Sequence, residues 1–475
     1  MAGWSVRYPV LISLSILLTS CSTYHARPLS EVEHDPSLVG PAPDTLAAAV
    51  AEVHHPHLID VPIDLTRALG PDQVALLAVA LQPAVRAVRM QRKLAHAQVI
   101  QAGLLPNPQL SLSTDLPLNG EDTVPALGAG LSWEITALIA ASAKRESALA
   151  NAEAIDLGVA WQEWQVGVGA KLAAIRLVSL TNEVALTTEI ADFQRQRAAR
   201  IGQTAATGLS NQGEADVAND ATADAEITLA VIRQEAASQR LALNRALGLP
   251  PSANIRLDVS AFATKQPVPD ADHLQAEVEH RRLDLVGLHR GYDSQEAAVR
   301  AAVLGQFPKI SLGLQRNRDT SALNTFGFGV SIDLPLFDRN QGVIAIEEAT
   351  RERLYQEYID RIFQARADIA QAAADVVALD EQMIGLHQTL TRLEARLATQ
   401  EEARVAGLVD DESVAATHLA VLYKRHESLR LQQQSREALV ACELASGLYL
   451  SQNQSKSLSE SQSKSQPQNL PENAP

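Results

Sequence analysis

The feature that most constrains this chain is an internal repeat with a period close to 200 residues. Residues 128–134 read Gly-Ala-Gly-Leu-Ser-Trp-Glu and residues 327–333 read Gly-Phe-Gly-Val-Ser-Ile-Asp, an offset of 327 − 128 = 199. The same offset relates Gly208-Leu209 to Gly407-Leu408. Because this period is far longer than that of a solenoid repeat, it indicates a duplicated unit and a pseudo-symmetric architecture.

The N-terminus has the pattern of an export signal. Its apolar stretch is about half the ~20 residues that a membrane-spanning helix needs, so we predict a cleaved signal peptide over residues 1–20. Residues 18–21 resemble a bacterial lipobox, which predicts acylation of Cys21 at the start of a mature segment over residues 21–70. Ser22 is not the aspartate that retains lipoproteins in the inner membrane, so the outer membrane is the implied location. The alternative is an ordinary signal peptide with a coincidental cysteine.

Composition excludes several classes of function. A net charge of −16 argues against nucleic acid as a partner. Cys442 is the only cysteine besides Cys21, so no internal disulfide is expected in the mature chain, and Cys442 is interpreted as a small packed residue. The sequence contains no nucleophile elbow, phosphate loop, zinc-ligand spacing or paired-carboxylate signature. We therefore predict a protein that is not an enzyme and needs no cofactor.

Two long proline-free runs, 126–249 and 336–466, predict helices. Each run contains one Gly-Leu pair among polar residues, where glycine can end one helix and let the chain reverse. A helix of about 62 residues would be about 93 Å long and must lie beside other long helices, as in a coiled coil. The predicted helical hairpins pair 144–206 with 210–247 and 343–405 with 410–446.

The segments before each run, roughly 108–135 and 308–335, alternate apolar and polar residues and predict two strands each. The length and the fully apolar face fit transmembrane β-strands, although a half-buried soluble hairpin has the same alternation. Four strands cannot close a barrel, and open edges are not tolerated in lipid, so the chain must oligomerise. Two copies would give 8 strands and three would give 12, and geometry alone does not choose.

These patterns divide the mature chain into two repeats. The first is predicted over residues 71–250 and the second over residues 273–450, joined by a proline-containing linker at 251–272. Residues 451–475 are rich in Ser, Gln, Lys and Asn, and a composition of this kind predicts a disordered tail.

From about residue 60 to 450, the chain resembles the TolC family of outer-membrane efflux proteins. The most specific segment is 333–342, Asp-Leu-Pro-Leu-Phe-Asp-Arg-Asn-Gln-Gly, which is similar to the strand-to-helix junction of the CzcC-like heavy-metal branch. Residues 103–108 and the two Gly-Leu pairs agree with the family pattern. Gln82 and Leu283 depart from it, standing where asparagine and proline are usual.

The resemblance implies a mixed α and β membrane protein that forms a homotrimer with a shared 12-stranded barrel and a long periplasmic α-helical barrel. It implies docking to a periplasmic adaptor (membrane fusion) protein and a pump of the resistance-nodulation-division class. The expected function is a passive exit duct, with heavy-metal cations as cargo. The alternatives are the same duct for organic compounds or for type I secretion, and a periplasmic coiled-coil scaffold lipoprotein, which would not explain the alternating strands.

The hairpin turns are the predicted docking sites for the adaptor, through Gly208, Leu209, Gly407 and Leu408. Acidic residues beside these turns could form rings in the lumen of a threefold channel, which is one way that channels favour cations. A solvated helix end is the simpler reading, because negative charge also suits a helix N-terminus. The candidate lumen acids are Glu214, Asp216, Asp410 and Asp411.

The densest group of possible metal ligands is His54, His55 and His57. Three imidazoles this close in sequence could hold a divalent cation. The intervening Pro56 and the position near the mature N-terminus favour an ordinary surface loop.

Overall fold

We describe the fold from a computed structural model, which describes residues 24–26, 28–29, 43–58, 61–119, 124–209, 211–263 and 269–449. The predicted signal peptide, Cys21 and the tail over 451–475 lie outside these residues. Within the described residues, each copy of the repeat contains two helices, two strands and a long helical hairpin, in that order.

The first copy is preceded by α1 (Pro43–Ala51) and comprises α2 (Pro71–Leu81), α3 (Pro83–Ala102), β1 (Gln109–Asp115), β2 (Ala126–Glu134), α4 (Ala137–Ala206) and α5 (Gln212–Ala246). A short helix, α6 (Val259–Ala263), lies between the copies. The second copy comprises α7 (Ala271–Arg281), α8 (Leu283–Leu304), β3 (Lys309–Arg318), β4 (Asn324–Asp333), α9 (Gln341–Val405) and α10 (Asp411–Ser446). The identical element order confirms the duplicated architecture.

The long helices begin differently in the two copies. Helix α4 starts at Ala137, seven residues before the predicted position 144 (144 − 137), and its 70 residues span about 105 Å. The junction before it contains no proline or glycine, so nothing stops the helix from reaching back to the strand. The second junction contains Pro335 and a left-handed Asn340 (φ 62°), and α9 starts only at Gln341. No helix among the described residues combines the length and apolar character needed to cross a membrane.

Glycines in the left-handed region end the hairpin helices at matching places in both copies. Within the described part of the chain they are Gly208 and Gly248 in the first copy, and Gly407 and Gly447 in the second. Gly407 follows Gly208 by 199 residues, and Gly447 follows Gly248 by 199 residues, which is the offset of the sequence repeat. Positive φ is a conformation that costs other residues about 1–2 kcal/mol, so the duplicated sequence specifies its helix ends through these glycines.

These four positions differ in their surroundings, which leads to a prediction. A Cβ on Gly248 would lie 2.8 Å from the Leu81 carbonyl oxygen and 2.9 Å from the Gln82 Cα, whereas a Cβ on Gly208 would meet nothing within 4 Å. We expect Gly248→Ala to destabilise the protein by about 3 kcal/mol or more, from strain and a backbone clash together. Gly208→Ala should cost about 1–2 kcal/mol, from strain alone. Thermal melting of both variants measures the difference, and equal melting temperatures would contradict it.

The four strands form one antiparallel sheet in the order β1-β2-β3-β4, so β1 and β4 are open edges. The register differs between the copies. Gln109 lies opposite Ser132 in the first hairpin, but Lys309 lies opposite Asp333 in the second. Gln109 corresponds to Lys309 at an offset of 200 and Ser132 to Ser331 at an offset of 199, so equivalent pairing would place Lys309 opposite Ser331. The two pairings therefore differ by two residues. A shift of two keeps every side chain on its own face of the sheet.

The register separates the strand residues into two faces. The central row of one face is entirely apolar, with Leu110, Leu131, Leu314 and Phe328 side by side across the four strands. The opposite face carries small and polar residues, as the strand alternation predicts. Its members are Gln109, Ser111, Ser113, Asp115, Ala126, Gly128, Gly130, Ser132, Glu134, Lys309, Ser311, Gly313, Gln315, Asn317, Thr325, Gly327, Gly329, Ser331 and Asp333.

The main hydrophobic core lies partway along the helical wall, where α2 packs against α4. Every residue of α2 from Val74 to Leu81 is buried. Trp164 of α4 is fully buried and makes an edge-to-face contact with Tyr449, with ring centroids 4.9 Å apart. Helices α2 and α4 of the first repeat therefore share one core cluster with Val440 and Tyr449 at the end of the second repeat, which holds the two repeats together.

Candidate functional site

The two hairpin turns have nearly the same geometry. The amide of Leu209 donates to the Thr204 carbonyl (2.9 Å), and that of Leu408 donates to the Ala403 carbonyl (2.9 Å). The amides of Gly208 and Gly407 donate to the carbonyls of Ala205 and Arg404 (both 3.0 Å). Together the two bonds at each turn form a Schellman motif, which satisfies the last carbonyls of the helix. The side chains of Leu209 and Leu408 are 82% and 79% exposed. The turns thus hold two leucines in solvent, at the positions predicted for docking.

The candidate lumen acids are all exposed and take part in local contacts at the starts of α5 and α10. Asp410 caps α10 by accepting bonds from the Ser413 amide (2.8 Å) and hydroxyl (2.7 Å), and these bonds lower the pKa of its carboxyl group. The Glu214 amide donates to the Asn211 side chain that caps α5 (2.9 Å). Asp216 accepts a bond from Gln212 (3.3 Å). Asp410 therefore acts as a helix cap, and a ring of acids in a lumen stays a prediction for all four residues.

Ion pairs join the helices near the turns. Arg197 of α4 bonds Glu412 of α10, which links the first hairpin to the second. Arg404 bonds Glu401 on its own helix (3.0 Å) and lies 3.5 Å from Asp411 across the second turn. Sequence reasoning did not identify the Arg197–Glu412 pair, because partners 215 residues apart have no local signal.

The histidine group does not have the geometry of a metal site. The Nε2 atom of His55 lies 2.8 Å from the Ala160 carbonyl oxygen, and its Nδ1 atom accepts bonds from the amides of His57 and Leu58. Both ring nitrogens are therefore used. The ring of His55 also stacks near Trp164, and burial lowers the pKa of His55 below its usual value. Among the described residues, no group of three His, Cys, Asp or Glu side chains could hold a metal ion.

Two buried charge clusters in the wall were not predicted. The Lys171 ammonium lies 2.6 Å from a carboxylate oxygen of Glu443, and both side chains are almost fully buried. It also lies 5.0 Å from the ring centroid of Tyr449. Glu163 accepts bonds from Arg89 (2.5 Å) and Arg92 (3.2 Å). A lone lysine within the apolar stretch 166–175 was the available sequence signal for the first pair.

The neighbouring Cys442 is fully buried. Burial raises the pKa of its thiol to about 11, so the thiol is protonated at neutral pH and unreactive. This state fits the packing role predicted for it.

The polar face of the sheet is the second candidate functional surface. It carries three acids, Asp115, Glu134 and Asp333, and one base, Lys309. The remaining residues of this face are neutral, and ten of them are glycines or serines. If this face lined a lumen, each chain would contribute a net charge of −2 to it, from three acids and one lysine.

Comparisons with known proteins agree with this geometry. The sequence model of the outer membrane efflux protein family matches residues 274–448, which is the second repeat. A relative from Cupriavidus metallidurans, the cobalt-zinc-cadmium resistance protein CzcC, is 27% identical over 271 residues. That match covers 55% of this chain and spans 62% of the relative's length.

Solved structures share the fold over most of the chain. CusC has a TM-score of 0.65 at 18% identity and covers 84% of this chain and 99% of its own. The outer-membrane channel OprN has a TM-score of 0.67 at 16% identity, covering 90% and 100%. VceC from Vibrio cholerae has a TM-score of 0.64 at 17% identity, covering 80% and 96%. The second repeat therefore matches the outer membrane efflux protein family, and the chain as a whole shares the fold of these solved channel structures.

Proposed function

We propose that this protein is the exit duct of a tripartite efflux system, a passive channel that leads from the periplasm through the outer membrane. The observation that carries the proposal is a four-stranded sheet with one apolar face, one polar face and two unpaired edges, attached to helical hairpins about 100 Å long. Unpaired backbone groups are very costly in lipid, so β1 and β4 must pair with other copies before the apolar face can enter a membrane.

Three copies complete such a sheet as a 12-stranded barrel with the polar face inward. The solved channels that share this fold support that arrangement. In the same trimer, the six helical hairpins would extend the lumen into the periplasm, and their turns would meet a periplasmic adaptor protein. The adaptor would connect the duct to a pump of the resistance-nodulation-division class.

We propose heavy-metal cations as the cargo. The name of the relative from Cupriavidus metallidurans, a cobalt-zinc-cadmium resistance protein, supports this choice. The excess of acids on the polar face of the sheet also supports it, because a negative lumen favours cations over anions. A strain lacking this gene should regain resistance to zinc, cobalt or cadmium salts when the gene is restored. Restored resistance to organic compounds alone would favour the duct for organic cargo.

The proposed assembly gives a direct prediction. In detergent, the purified protein should have the mass of three chains by light scattering, and it should conduct ions when added to a planar lipid bilayer. The physical reason is that the unpaired backbone groups of β1 and β4 can be satisfied in a membrane only by pairing with the edge strands of other copies. A monodisperse monomer with intact β-sheet content by circular dichroism would contradict the proposal.

We also propose that the chain is lipid-anchored through Cys21, a residue outside the described part of the structure. Replacing Cys21 by Ala should leave the strands able to insert but reduce the yield of assembled protein in the outer membrane. Acyl chains contribute about 0.8 kcal/mol per buried CH₂, and they hold the chain at the membrane before the barrel closes. Mass spectrometry of the wild-type N-terminus checks the premise, and an unacylated terminus would reject it.

A further inference from the structure

Two arginines interrupt the apolar face of the sheet. Along β3 this face reads Ile310, Leu312 and Leu314, and its next two positions are Arg316 and Arg318. Their neighbours across the sheet are still mostly apolar, since Arg316 lies between Ala129 and Phe326. Arg318 lies between Leu127 and Asn324.

Neither guanidinium group is neutralised within the described part of the chain, where no ion pair or side-chain hydrogen bond involves Arg316 or Arg318. Asp319 is the next residue, but one oxygen of its carboxylate accepts three bonds from Ser321 and Leu323 in the β3–β4 turn. Two positive charges therefore stand on a mostly apolar face of the sheet without a partner among the described residues.

The arginines border a cleft of about 530 Å³ at the end of the sheet remote from the helices. Leu112, Leu127 and Ala129 provide the apolar part of its lining. On the opposite face, a Cβ on Gly128 would lie 2.3 Å from the Ser113 hydroxyl oxygen, so that side of the sheet is already filled here. The cleft thus combines a hydrocarbon surface with two guanidinium groups on the face that we propose to meet lipid.

The depth of Arg318 fits the boundary between hydrocarbon and headgroups, and Arg316 lies about 5 Å deeper by the same calculation. Arg318 is eight residues from Ile310, or about 27 Å along the strand at ~3.4 Å per residue. A barrel strand tilted by about 40° converts this to about 20 Å along the membrane normal, close to the ~25 Å height of a lipid-facing apolar band. Arginine on a lipid face is far less destabilising near the membrane interface than at the bilayer midplane.

We propose that Arg316 and Arg318 bind the phosphate group of an anionic lipid in the outer leaflet, while an acyl chain of the same lipid lies on Leu112 and Leu127. Arginine donates paired, charge-assisted hydrogen bonds to phosphate oxygens, and its aliphatic stem can lie along hydrocarbon. This inference rests on the proposed function, because the duct orientation places the β3–β4 turn at the outer surface.

The test uses the full-length protein in detergent and native mass spectrometry of the trimer with added bisphosphorylated lipid A. The variants are Arg316→Gln, Arg318→Gln and the double substitution. Lys309→Gln is the matched control, since it removes one positive charge from the polar face of the same strand. Dephosphorylated lipid A and inorganic phosphate are the two control ligands.

We expect the double variant to bind lipid A at least about tenfold more weakly than the wild type, because it loses the charge-assisted hydrogen bonds of both guanidinium groups to the phosphate. Each single variant should show part of this loss, and Lys309→Gln should bind like the wild type. Dephosphorylated lipid A should bind as weakly to the wild type as lipid A does to the double variant. Inorganic phosphate should not displace lipid A.

Several results would overturn the lipid site. These are equal binding of both forms of lipid A, an unchanged affinity of the double variant, an equal loss in Lys309→Gln, or displacement by inorganic phosphate. The same preparations are assayed for conductance in planar bilayers. A wild type that does not form a channel rejects the proposed duct, whereas a conducting wild type that fails the lipid comparison rejects the lipid site alone.

Discussion

Replacing Gly208 or Gly407 by proline is expected to abolish metal resistance while leaving the trimer assembled. Both glycines have φ near +75° and donate their amide hydrogens to the helix that they end (φ 76° and 72°). Proline fixes φ near −65° and has no amide hydrogen, so either substitution must open the turn. The turns lie about 100 Å of helix away from the sheet, and strand pairing should therefore be unaffected.

The loss of function would come from the shape of the docking surface. A small number of central residues carry most of the binding energy of a protein interface. Leu209 and Leu408 are the exposed apolar residues beside the turns, and a distorted turn would move them. Leu209→Asp and Leu408→Asp test their role directly while sparing the glycines.

These variants need a control and two readouts. Leu241→Asp places the same charge on an exposed position of α5 away from the turn, where the leucine is 53% exposed. Affinity for the adaptor and trimer melting are measured on all the variants. We expect the turn variants to lose adaptor affinity by about tenfold or more, the size of a hot-spot loss, and Leu241→Asp to bind normally. Unchanged affinity in both turn variants would reject the docking assignment, whatever their melting temperatures.

Replacing Lys171 by methionine is expected to cause the largest loss of stability. It would remove the ammonium group that lies 2.6 Å from the Glu443 carboxylate, in a site where both side chains are almost fully buried. Breaking a buried ion pair from one side costs about 3–5 kcal/mol, because the remaining charge is no longer compensated. The variant should also lose the contact between the ammonium group and the Tyr449 ring.

The same two helices supply a matched control. Arg176 and Glu437 also join α4 to α10, with bonds of 2.9 Å and 3.2 Å, but Arg176 is about half exposed. Arg176→Met should therefore cost at most about 1 kcal/mol, as exposed ion pairs do. Lys171→Met combined with Glu443→Leu should recover much of the loss, because well-packed apolar residues can replace a buried pair. Thermal melting of the trimer measures all three, and a wild-type melting temperature for Lys171→Met would contradict the prediction.

The sequence by itself determined the elements that follow from local chemistry. Proline-free runs specified the long helices, because proline breaks a helix wherever it stands inside one. Glycines at the repeat offset specified the helix ends, because positive φ strongly favours glycine. Period-2 alternation specified the two faces of the sheet, since successive side chains of a strand point to opposite sides. Because four strands are too few to close a barrel, the open edges and the need for oligomerisation could also be predicted.

Only the tertiary structure decided what depends on residues distant in the chain. The two strand hairpins differ in register by two residues, and alternation cannot detect such a shift because it preserves both faces. Lys171 and Glu443 are separated by 272 residues, so neither one predicts the other. His55 had the residue type and spacing of a metal ligand, but folding against Ala160 used one ring nitrogen and local amides used the other. Packing decides such partners, because most buried polar atoms pair with a donor or acceptor that the fold brings near them.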